Sequence, residues 1–137
     1  MTEPLDHHDA LIYTMVTISA VDRAITDAEL ARIGEIVSNL PVFATYDPEK
    51  LVSASQACGE ILGGDSGLQL VLELIRSTLP KALRETAYAL ALEVAAADLD
   101  VRPEETRFLE LLSNALELDK LTTSAIERGI RARNKVV

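Results

Sequence analysis

Two acidic segments carry the residue types and spacing most able to do chemistry. Asp22 and Glu29 flank one short segment, Asp98 and Glu105 flank another, and both follow the pattern Asp-x-x-(Ile/Val)-x-x-x-Glu. The second copy is richer, with Asp100 and Glu104 added to Asp98 and Glu105. Carboxylates are hard oxygen donors, so an Asp and a Glu joined by a short loop can converge on calcium or magnesium, with a loop carbonyl and waters completing the shell. Neither segment fits an EF-hand, which needs acids at alternate positions, a glycine turn and a closing glutamate. The competing reading is that the acids only satisfy free amides at helix starts, with Glu29 as the return half of a capping box.

The elements that must position these residues are legible from apolar spacing. Leu5, Leu11, Ile12, Met15, Val16 and Ile18 recur at three- and four-residue steps and predict a helix from about Asp6 to Val21. Thr26-Asp27-Ala28-Glu29 has the Thr-x-x-Glu form of a capping box and opens a second helix, which runs to about Asn39 and ends before Pro41. Asp47-Pro48 starts a third helix that stops at Gly63-Gly64, and Asp65-Ser66 opens a fourth that ends before Pro80. The fifth, about Lys81 to Ala97, is apolar on nearly every side after Thr86 and is expected to be the central post. Pro103-Glu104-Glu105 begins a sixth through Leu116, and Asp119 caps a seventh through Ile130. An Asp at the end of the first or fifth helix faces the negative end of the helix dipole, a place that calls for a compensating cation, basic side chain or free amides.

The expected fold is all-α, with about seven helices packed as a compact bundle in one domain over residues 1–137. Within it, Asp22, Glu29 and Leu40 fall in register with Asp98, Glu105 and Leu116, and Ile25, Ile33 and Ile36 with Val101, Leu109 and Leu112. This predicts an internal duplication of a helix–acidic loop–helix unit, about 6–40 and 82–116. The segments Ser19-Ala-Val-Asp-Arg-Ala-Ile-Thr-Asp-Ala-Glu29 and Ala95-Ala-Ala-Asp-Leu-Asp-Val-Arg-Pro-Glu-Glu105 resemble the two halves of the TerB-like tellurite-resistance family. That family shows an Ala-Ala-Asp-Gly-x-(Ile/Val)-x-x-x-Glu signature in each half; here Arg23 and Leu99 stand in the glycine positions. The resemblance implies a cytoplasmic bacterial protein with a divalent-metal site at Asp22, Glu29, Asp98 and Glu105. It also implies a role in tellurite and other stress responses alongside membrane-associated partners.

Composition sets the remaining bounds. Thirteen Lys and Arg against 22 Asp and Glu give the 137-residue chain a net charge of −9, which repels nucleic acid and anionic lipid and favours cations or basic surfaces. The longest apolar stretch, Ala87 to Ala97, contains Glu93 and falls well short of the ~20 residues that span a bilayer. The first residues lack the basic and apolar pattern of a signal peptide, and the single cysteine, Cys58, rules out an internal disulfide and reads as a small core residue. A reducing cytoplasm is the expected location.

Four further features bear on function. His7 and His8, in Asp6-His-His-Asp9, combine transition-metal ligands, but neighbours on a helix point about 100° apart, so they read as terminal polar residues unless this end is extended. Glu93 either reaches a cleft shared by the two acidic loops or lies on an exposed stripe. Gly63-Gly64-Asp65-Ser66-Gly67 lacks the Lys and the preceding strand of a phosphate loop and reads as a turn, and the basic residues Arg128, Arg131, Arg133 and Lys135 suit a helix C-terminus. These readings converge on a non-enzymatic, metal-responsive scaffold for protein partners or a homo-oligomer, built around Asp22, Glu29, Asp98, Asp100 and Glu105 and a calcium or magnesium ion. The alternative is a metal-free helical adaptor whose acidic loops are only caps, a reading favoured by the two missing glycines. A hydrolase would need an open metal position and a general base, which no residue pattern selects.

Overall fold

A computed structural model describes residues 4–21, 24–96 and 102–137. Among them the chain forms α1 (His7–Ala20), α2 (Asp27–Asn39), α3 (Leu51–Leu62), α4 (Gly67–Thr78), α5 (Arg84–Ala95), α6 (Pro103–Ala115) and α7 (Lys120–Arg133), with no strand. Three short 3-10 turns, Pro41–Phe43, Pro48–Lys50 and Lys81–Leu83, join or precede them, each at a proline that suits a tight first turn.

The central post is α1 rather than α5 alone. It packs on α2, α3, α4, α5 and α6, and every residue from Ala10 to Ser19 is buried. Thr14, Thr17 and Ser19 interrupt its apolar run, so apolar spacing alone does not mark it as enclosed. Their hydroxyls are consumed internally instead: Thr14 Oγ1 donates to the Ala10 carbonyl (2.8 Å) and Ser19 Oγ to that of Met15 (3.0 Å). Thr17 Oγ1 lies 3.5 Å from the Cys58 sulfur. A small hydroxyl bonded back to its own helix is the one kind of polar group that can be buried on any face without an outside partner.

Around this post, α5 brings Ala87, Leu90, Ala91 and Val94, and α6 brings Phe108, Leu112 and Leu116, all within the core. Helix α7 is held mainly on α5, with Asp119 capping its start through the Thr122 N–H (2.7 Å). The segment Gly63 to Gly67 is a tight connection, as expected. Ser66 adopts a left-handed φ of 55°, and Gly67 follows so closely packed that a Cβ there would stand 2.3 Å from the Ile61 carbonyl oxygen. Only glycine fits.

Two outcomes follow for stability. Gly67→Ala forces backbone apart and is expected to cost several times what Gly34→Ala returns; the latter, in the open interior of α2, should stabilise by about 0.5–1 kcal/mol, both read by urea denaturation. Cys58 is fully buried, and burial pushes its thiol up to about 11. The folded state therefore keeps a proton that the unfolded chain releases near the thiol's ordinary value of 9.0, so stability is complete below that pH and declines as pH rises toward 11. The loss is expected to be roughly 2–3 kcal/mol across that window, and Cys58→Ala, though less stable at neutral pH, should show a flatter alkaline profile.

Candidate acidic site at two helix starts

Glu29 and Glu105 occupy the same local position, the third residue of α2 and of α6. In α2 the capping box forms as the sequence predicts: Glu29 Oε1 accepts from the Thr26 backbone N–H (3.0 Å) and hydroxyl (3.1 Å), and Thr26 Oγ1 accepts from the Glu29 N–H (3.1 Å). In α6 only the return half exists, because Arg102 has no acceptor to offer: Glu105 Oε1 accepts from the Arg102 N–H at 3.1 Å. Pro103 at the first helical position removes one of the amides that would otherwise need a partner.

What sets these glutamates apart from ordinary caps is depth. Helix starts usually face water, yet both side chains have 0% exposure. Each helix packs against α1 and α5, so its first turn is pressed into the bundle and the carboxylate goes with it. A buried carboxylate needs more than one hydrogen bond to offset lost hydration. Glu105 Oε1 is 3.5 Å from the Arg102 Nε, an ion pair that Arg102's position three residues earlier makes available. Its other oxygen, Oε2, has no hydrogen-bond partner among the described residues. Asp22, Asp98 and Asp100, the other members of the sequence-predicted set, lie outside the described residues.

Sequence reasoning missed two basic partners. Arg102 was legible only as a residue three before Glu105. Arg133 lies far along the chain: its Nη1 stands 2.7 Å from Oε1 of Glu93, which is 6% exposed. Glu93 therefore sits neither on an exposed stripe nor, by any contact described, in the acidic site. It lines a cavity of about 370 Å³ with Arg32, Glu35 and Arg133, where α2, α5 and α7 meet. One member of the basic tail is thus a partner for a buried carboxylate rather than only a complement to a helix end.

Helices without strands among the described residues, and a buried glutamate in the first turn of both α2 and α6, define the class of the fold. The family model described as Tellurite resistance protein TerB matches residues 8–128. The chain belongs to that family. No curated protein and no solved structure matches it. Among the described residues, no helix is long and apolar enough to cross a membrane.

Thr26→Ala removes the side-chain acceptor for the Glu29 N–H and one donor to its carboxylate, and is expected to cost about 1–2 kcal/mol in chemical denaturation, the range of a lost N-cap.

Proposed function

We propose that this TerB-family protein binds a divalent cation of the calcium or magnesium type through Asp22, Glu29, Asp98, Asp100 and Glu105, and acts without turnover as a metal-responsive scaffold in stress resistance. The observation that carries the reading is the fully buried Glu105, which spends one oxygen on the α6 start and keeps the other without a hydrogen bond among the described residues. An all-oxygen donor set fits a hard cation, and an ion would add positive charge beside the second oxygen of a buried carboxylate. Within this reading the two acidic units hold one ion between them, and the ion sets the shape of a surface that protein partners, membrane-associated ones included, recognise. The reading extends to a cytoplasmic location in a bacterium and to tellurite as the relevant stress, for which membership of the family is the support.

A second reading, a metal-free adaptor, has its own observation: Arg102 already places a cation 3.5 Å from Glu105. Calorimetric titration of metal-stripped protein with calcium, magnesium, manganese and zinc separates the two. Glutamine keeps the cap acceptor but removes the charge, so Glu29→Gln and Glu105→Gln, like Asp22→Ala and Asp98→Ala, should lower calcium or magnesium affinity at least tenfold while the helices persist by circular dichroism. No heat with calcium, magnesium or manganese in the parent protein would establish the adaptor.

A further inference from the structure

The first turn of α1 holds a second constellation, of different chemistry. Asp6 is the extended N-cap of the helix (φ −115°, ψ −176°) and His7 its first residue. His7 and His8 are the first two residues of the helix, and their ring centroids are nevertheless only 4.1 Å apart. His8 is not a terminal polar residue in any useful sense. It is 6% exposed and lies against Phe43 and Tyr46, with centroids at 5.6 and 5.2 Å.

The hydrogen bonding of His8 decides which nitrogen is available. Nε2 lies 2.9 Å from the Val42 carbonyl oxygen. A carbonyl only accepts, so Nε2 carries the proton and Nδ1 of the neutral ring carries the lone pair. Nδ1 takes part in no hydrogen bond among the described residues; the Asp6 Oδ2 stands 3.8 Å away, beyond hydrogen-bond reach. Asp6 divides its own oxygens in a matching way, with Oδ1 accepting from the Asp9 N–H at 3.1 Å and Oδ2 turned to His8. A buried imidazole anchored through one N–H to a main-chain carbonyl, which leaves the lone pair of the other nitrogen for a metal, is the arrangement by which proteins fix a metal-binding histidine.

One ligand atom from each of Asp6, His7 and His8 lies within 4.8 Å of the other two. These residues open onto a cavity of about 680 Å³ that is also lined by Asp9, Asp47 and Lys50, so its carboxylates outnumber its cations. We infer that Asp6, His7 and His8 form a binding site for a borderline divalent transition metal of the zinc class, with the remaining coordination positions open to the cavity. Two imidazoles in three ligands select zinc, nickel or copper over calcium or magnesium. Tetrahedral zinc with bonds of about 2.0–2.1 Å needs ligand atoms about 3.4 Å apart, a closure that rotation of the exposed Asp6 and the half-buried His7 onto a fixed His8 accomplishes. The site belongs to the start of α1, whereas Asp22 follows its end, so the two metal readings stand or fall separately.

The test is a zinc titration of chelator-stripped full-length protein by calorimetry, with the His8 ring nitrogens followed by NMR. His8→Ala is avoided because it would open the core between Phe43 and Tyr46. Parent protein is expected to bind one zinc, to move the His8 Nδ1 resonance and to melt at a higher temperature with zinc present. His7→Ala and Asp6→Asn, the latter keeping a cap acceptor, should each weaken zinc at least tenfold, while Glu29→Gln and Glu105→Gln leave it unchanged. No heat in the parent, unchanged affinity in either first-turn variant, or loss of zinc in the glutamate variants overturns the site.

Discussion

A helix enclosed on all sides cannot send a polar side chain to water, and the rest of this structure is arranged around that constraint. Helix α1 meets five others, so no face is spare. The chain meets the requirement in two ways: Thr14 and Ser19 bond to carbonyls four residues back in the same helix, and Thr17 shares its hydroxyl with Cys58 of α3. Between them Met15, Val16 and Ile18 are buried in the core. With α1 fixed, α5 and α6 find their places against it, and α7 is added on the outer face of α5.

The same enclosure explains the glutamates. A capping box at the surface is a small local device, with water available to the second carboxylate oxygen. Here the starts of α2 and α6 are drawn into the bundle because both helices lean on α1 and α5, and Glu29 and Glu105 go from partly hydrated caps to fully buried acids. A cap explains one oxygen of Glu105 and leaves its partner oxygen to another source of compensation. Depth, rather than the acid-rich composition of the loops, is what sets these two glutamates apart from caps at the surface. Buried Glu93 shows the other solution the chain uses, a basic side chain brought in from a distant helix.

Much of the fold was legible because helix formation is a local matter. Proline at Pro48 and Pro103, the Thr26–Glu29 box and the Asp119 cap each act within one turn, and the helices begin at or beside them. Regular apolar spacing carried the rest, so all seven helices lie where periodicity puts them. The exception is instructive. Three hydroxyls hid the centrality of α1, because spacing reports which residues are apolar and not which polar residues have been satisfied at home.

The site was legible in kind and not in surroundings. Acid spacing singled out Glu29 and Glu105, a signal that depends on residues close in sequence, whereas His7 and His8, adjacent on an expected helix, read as terminal polar residues. Sequence alone determined the helices, their caps, the excess of negative charge and the family signature, all of which arise from short-range chemistry or from composition. Only the tertiary structure decided that the two glutamates are buried, that Arg133 reaches Glu93, and that the Val42 carbonyl holds one nitrogen of His8 and leaves the other without a hydrogen bond among the described residues. Burial and long-range pairing depend on which helix faces cross, and no local pattern encodes that.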